Sequence, residues 1–247
     1  MISKSLNMTV VLFLTCCFLV TVLAQQKSDV YNWPLKPGMP EWKDLKTHDE
    51  MLEVLQIPVE TLQKMTTKDI AQTCLSYPLF SDIWAFNSLQ EGMERVIDGF
   101  NGLQQFLKRD DAGLDLYAIY KTMDPHNFDE SWTALKKGQY TAEFAKIEIL
   151  LAQEAILSSL KNDERFLLLQ ESVNKQNAMQ PYPMYDRRNQ EPNAYLMGKI
   201  LQKDYPHIIN QGSQDKPNLQ AFLQRGSMAS KDTIAEILSI AQKMVNN

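Results

Sequence analysis

Residues 141–161 read TAEFAKIEILLAQEAILSSLK. Phe144, Ile147, Leu150, Leu151 and Leu157 recur at steps of three, four and seven, which is one stripe of a 3.6-residue helix. Neither Pro nor Gly interrupts the run, so the spacing predicts a single long helix over 141–161 with one apolar face. Glu154 falls in the centre of that stripe. A carboxylate there must find a partner or keep its proton. Two readings follow: a raised-pKa acid or metal ligand in a helical core, or a structural pair with a Lys, Arg or Tyr from another helix. The chain contains no Glu-x-x-His, so the di-metal carboxylate signature of helical bundles is absent.

Moving outward, helix start and stop signals come in close succession. Thr47-His48-Asp49-Glu50 is a capping box followed by Met51, Leu52 and Leu55. Pro58 suits the first turn of a helix carrying Val59, Leu62 and Met65. Thr66 or Thr67 caps another, with Ile70, Ala71, Cys74 and Leu75 inward. Pro78 opens a fourth, with Leu79, Phe80, Ile83 and Trp84 on one side. Ser88-Leu89-Gln90-Glu91 reads as a second capping box. Gly92 and Gly99 lie seven apart on that helix. Gly costs about 1 kcal/mol against Ala inside a helix, so the pair suggests a neighbouring backbone passing close, or a cap at Gly99. Leu114, Leu116, Tyr117 and Tyr120 continue in helix until Pro125.

Beyond the central run, Phe166-Leu167-Leu168-Leu169 is apolar on nearly every side and so belongs in the middle of the assembly. Residues 179–193, with Pro181, Pro183 and Pro192, read as a loop, and 206–217 as irregular. Gly226 ends a short helix, and Ser230 caps the last, with Ile234, Ile237, Leu238 and Ala241 inward. No convincing alternating strand occurs. The expected class is all-α: an irregular bundle or an α-solenoid-like stack of short helical hairpins, without a repeated consensus.

The ends of the chain read differently. Residues 1–24 carry one charge, Lys4, then the apolar run MTVVLFLTCCFLVTVLA, with Val22 and Ala24 as small residues before Gln25. That is the pattern of an export signal peptide. As a helix the apolar run spans about 26 Å, just under the roughly 30 Å hydrocarbon thickness, so a retained signal anchor is one alternative. Lipid attachment at Cys16 or Cys17 is another, although Thr15 before and Phe18 after fit it poorly. Residues 25–46, with Trp33-Pro34, Pro37-Gly38 and Pro40, read as an extended N-terminal arm whose Trp33 and Trp42 staple it across the fold. Residues 47–247 are expected to be a single helical domain.

Composition narrows function mainly by exclusion. The 247 residues carry a net charge of −5, and 44% are hydrophobic. That is an ordinary globular mixture, without the basic run that nucleic-acid binding requires. Without the leader only Cys74 remains, which excludes an internal disulfide; the thiol reads as a small buried apolar group. His48, His126 and His207 are scattered and form no HExxH. Asp124 to Glu130 lacks the spacing of a calcium loop. Phosphate-binding, nucleophile-elbow and zinc signatures are missing too, so no cofactor or metal is expected. The best partner-binding candidates are Tyr182, Met184, Tyr185, Arg187 and Arg188, residue types enriched at interfaces on a Pro-stiffened loop. The alternative for this loop is a long crossover whose Tyr side chains pack on the helices.

Several stretches carry an outline of their own: Glu50-Met51-Leu52, Ile57-Pro58, Thr73-Cys74-Leu75-Ser76-Tyr77-Pro78-Leu79, Ala85-Phe86-Asn87 and Phe100-Asn101-Gly102-Leu103. In them the chain resembles exported all-helical proteins of Bacteroidetes-type bacteria that carry no assigned activity. The resemblance implies export and a helical fold, and it supplies no catalytic residue. The expected function is an exported binding or structural module of the bacterial envelope, periplasmic or extracellular. Its partner would be a protein or another envelope component, with no nucleic acid and no membrane span after signal removal. The alternative is an enzyme with a pocket between helices that uses core carboxylates such as Glu154.

Overall fold

A computed structural model describes residues 30–214, 216–227 and 229–246. The expected leader at residues 1–24 lies outside the described residues. Those described form helices joined by short turns, with no strand among them; an isolated bridge pairs Ser88 with Ser227.

In the first half, α1 (His48–Val54) begins at the capping box: Thr47 Oγ1 accepts from Glu50 N and the Glu50 carboxylate accepts from Thr47 N, both at 3.2 Å. Then come α2 (Val59–Lys64), α3 (Thr67–Leu75) capped by Thr66, α4 (Leu89–Gly99) capped by Ser88, α5 (Asn101–Phe106) and α6 (Ala112–Thr122). The segment after Pro78 is a 3-10 helix, Phe80–Ala85. Its three-residue period puts Phe80 and Ile83 on the buried side and turns Trp84 outward, 47% exposed, where an α-helical reading placed it inside. Gly92 explains how this segment lies so close to α4: a Cβ there would stand 2.2 Å from the Ile83 carbonyl oxygen. At Gly99 a Cβ would meet only the Leu52 side chain, at 3.1 Å, so of the two glycines Gly92 carries the close backbone approach.

The N-terminal arm is stapled as expected. Tyr31 N donates to Thr73 Oγ1 at 3.0 Å, and buried Trp33 packs against Tyr31, Tyr77 and Phe100 with ring centroids 5.1–5.7 Å away. Trp42 sits in a 3-10 turn, Pro40–Asp44, partly buried against the same core.

The second half departs further from its pattern. The expected 141–161 helix is two elements: α7 (Ala134–Leu151) and, after a break, α8 (Glu154–Ser159). At the break Gln153 is extended (φ −69°, ψ 139°) and buried, and its Nε2 donates to the Ile149 carbonyl at 2.9 Å, capping the end of α7. A side-chain cap by Gln leaves no Gly or Pro in the sequence to announce the stop.

Next come α9 (Asn162–Met179) and α10 (Arg187–Asp204), the latter with Pro192 inside it. The expected 179–193 loop is therefore helical from Arg187. Residues 206–217, expected to be irregular, contain α11 (Pro206–Ser213), which Pro206 begins at a position where its missing N–H costs nothing. The last elements are α12 (Pro217–Arg225), ended by Gly226 at φ 62°, and α13 (Lys231–Val245), capped by Ser230.

The central helix is α10, buried continuously from Glu191 to Gly198 and packed against α7, α9, α11, α12 and α13. The Phe166–Leu169 run does not take that place: Leu167 is 47% exposed. One contiguous apolar cluster extends from Trp33 to Ala241. Contacts such as α7 with α10, α4 with α12, and Leu89 N donating to Gly226 O at 3.1 Å join elements distant in sequence. In a solenoid each unit touches only its neighbours, so the fold is the irregular bundle.

Candidate functional site

The segment between α9 and α10 is a series of turns. Tyr182 N donates to Met179 O and Tyr185 N to Tyr182 O; Asp186 then caps α10, accepting from Arg188 N at 2.9 Å and Asn189 N at 3.2 Å. Two of the expected partner contacts face inward instead. Tyr185 is buried, its hydroxyl donating to Pro125 O at 2.9 Å, and burial pushes its phenol pKa up. Arg187 donates to Glu191 and, at 2.7 Å, to Ala229 O, while Ala229 N donates to Glu191 Oε1. These residues hold the segment to the body. Tyr182 is half-buried, edge-on to Phe128 and His126. Met184 is half-buried as well. The Arg188 side chain is 78% exposed and reaches Asp186 only at 3.8 Å. Of the five candidates, Tyr182, Met184 and Arg188 thus have surface to offer.

Three cavities open on this one segment. The first, about 420 Å³, lies between the 83–89 stretch and Asp186–Asn189 and is lined by Trp84 and by Phe86, which is 38% exposed. The second, about 570 Å³, runs between Tyr182, Arg188 and the Ile234 and Leu238 side of α13. The third, about 440 Å³, sits between Tyr182–Met184 and the region of Phe128 and Thr141. Each has the size of a small-ligand cleft. Trp84 and Phe86 were not among the sequence candidates. A three-residue period after Pro78 would have found Trp84, whereas Phe86 is exposed because the 3-10 helix ends at Ala85.

The expected core carboxylate is displaced. Glu154 begins α8 with its side chain 69% exposed. It accepts from Lys203 Nζ at 2.6 Å and Ser158 Oγ at 2.8 Å, and the lysine holds its carboxyl below the usual range. The break at Gln153 rotates α8 out of phase with α7, so Glu154 leaves the stripe. The carboxylate that is buried is Glu148, in the last turns of α7. It accepts from the Tyr120 hydroxyl at 2.9 Å, and its other oxygen has no partner. Burial pushes its pKa up to about 8, against the opposing effects of Tyr120 and Lys175. Lys175, also buried, pairs with Glu171 at 2.9 Å and donates to Met123 O. Two further acceptors on α9 and α10, Gln176 Oε1 and Asn193 Oδ1, are buried without a donor.

The remaining candidates stay apart. His48 faces Asp82 at 3.6 Å, and His126 bonds Asp124 within an exposed turn. Among the described residues no group of His, Cys, Asp or Glu is placed to hold a metal ion, and no helix is long and apolar enough to cross a membrane. Cys74 is fully buried, which raises its thiol pKa well above the usual value. No protein-family model, curated protein or solved structure matches the chain.

Proposed function

We propose that this protein is an exported, non-enzymatic binding module of a bacterial envelope, and that residues 182–188 with the cavities beside them form its capture face. The observation that carries this reading is the convergence of three ligand-sized cavities on one segment that Tyr185 and Arg187 pin in place. A pinned segment offers Tyr182, Met184 and Arg188 on a backbone that needs little further ordering on binding. The apolar leader and small-residue exit support export. The enzyme alternative through Glu154 loses its premise, because that carboxylate sits in an exposed ion pair.

The test compares capture from an envelope extract by the immobilised full chain and by a Tyr182→Ala, Met184→Ala, Arg188→Ala triple variant whose circular dichroism and melting match the parent. A component retained by the parent and lost by the variant is expected. Equal retention by both, or none by the parent, refutes the assignment.

A further inference from the structure

We propose that the cavity between Trp84 and Arg188 binds a neutral oligosaccharide; this rests on the capture-face reading and names its ligand class. Two aromatic side chains, Trp84 and Phe86, are substantially exposed in the same wall. Two exposed rings in one cavity give a small apolar surface, and a sugar ring has an apolar C–H face that packs flat on an indole.

The opposite wall is polar and electrically balanced: the carboxylates of Asp186 and Glu191 stand with the guanidiniums of Arg187 and Arg188. That balance favours a ligand without net charge. The start of α10 would otherwise attract an anion, but the Asp186 carboxylate already stands there and accepts from Arg188 N and Asn189 N. What is left facing the cavity is a mixture of donors and acceptors. Arg188 stands clear of hydrogen-bond distance to Asp186. The Asn189 amide nitrogen is engaged with Met184 O and Asp186, leaving its carbonyl to accept. Asn87 contributes a further amide to the lining. Hydroxyl groups, each both donor and acceptor, match such a set better than a purely anionic or purely apolar ligand does. The volume of about 420 Å³ and an open mouth suit a short stretch of a longer chain rather than an enclosed monosaccharide.

The full chain is titrated with neutral hexasaccharides of α-1,4-glucan, β-1,4-glucan, β-1,3-glucan, β-1,4-mannan and β-1,4-xylan, read by tryptophan fluorescence and calorimetry. At least one is expected to bind. Trp84→Ala should weaken it roughly ten-fold, with Trp84→Phe retaining part of the affinity. Trp132→Ala, which removes an aromatic packed on Tyr140 away from this cavity, should leave affinity unchanged. The proposal fails if no neutral sugar binds, if Trp84→Ala binds as the parent does, or if hexagalacturonate binds better than every neutral sugar. If sugars fail while the triple variant still loses a component captured from extract, the ligand class is wrong and the capture face stands. If both fail, the face itself is wrong.

Discussion

At the scale of single residues, the buried Glu148 makes the sharpest statement about solution behaviour. Its carboxyl holds a proton up to about pH 8 in the folded chain, against an ordinary value of 4.5. Below pH 4.5 both folded and unfolded chains carry that proton, and the group contributes no pH dependence. Between 4.5 and 8 the unfolded chain releases it and the folded chain does not. Folding stability therefore falls as pH rises, by about 1.4 kcal/mol per unit from this group, and the fall ends above the folded pKa. Glu148→Gln removes that slope and keeps an oxygen that can accept from Tyr120. Urea unfolding at pH 5 and pH 8 should find the variant close to the parent at the lower pH and several kcal/mol more stable at the higher; a constant difference across that range would show Glu148 ionised in the fold. The helical stripe placed Glu154 in the core, but the buried carboxylate of this stretch is Glu148. Glu148 is buried because α7 is enclosed on every side from Ile147 to Leu151, and the break at Gln153 turns Glu154 out to solvent.

At the scale of elements, the contact between α4 and the Phe80–Ala85 helix is the most sensitive joint. Gly92→Ala would drive a methyl into the Ile83 carbonyl, and backbone cannot swing aside as a side chain does. Overpacking of this kind typically costs about 1–3 kcal/mol. Because Trp84 and Phe86 ride on the displaced segment, binding in their cavity should weaken as well. Gly99→Ala meets only the flexible end of Leu52, so it should stay within about 1 kcal/mol of the parent in the same thermal melts. Equal losses at the two positions would contradict this account. Elements with side-chain caps of Ser or Thr, such as α1, α3 and α13, were legible because the capping residue precedes the apolar pattern. The start of α7 at Ala134 was missed although Thr133 caps it, because Lys136, Lys137 and Gly138 separate that cap from the apolar stripe; the other hidden elements were ended or entered by other means. Gln153 stops α7 with its own amide. Asp186, set among prolines, starts α10 and carries the helix through Pro192. The capture face was half legible for the same reason: residue types marked the 182–188 stretch, but only the packing of Tyr185 and Arg187 separates anchors from contacts.

At the scale of the whole molecule, a single apolar cluster does the work that disulfides do in many small exported domains. Cys74 is fully buried and has no bonding partner sulfur among the described residues. Reducing agent should therefore leave the melting temperature unchanged, and maleimide should label Cys74 in the native state far more slowly than in urea. A melting temperature that drops with reductant would reveal a cross-link between chains. The all-helical class was legible throughout, since every long run repeats at three and four rather than two. The choice between stack and bundle was not, because it depends on pairings between distant parts of the chain that no local pattern encodes.

One of those pairings shapes the Trp84 cavity itself. Leu89 is tied to Gly226, and Ser88 faces Ser227, so one edge of the Trp84 cavity is built where two segments far apart in sequence meet. Gly226 takes φ 62° and lies so near Leu89 that a Cβ would stand 2.9 Å from that residue's own. With both partners of the contact lining the cavity, the hollow inherits the fit of that clasp. A side chain at Gly226 would pry Leu89 away and so deform a wall that lies remote from it along the chain.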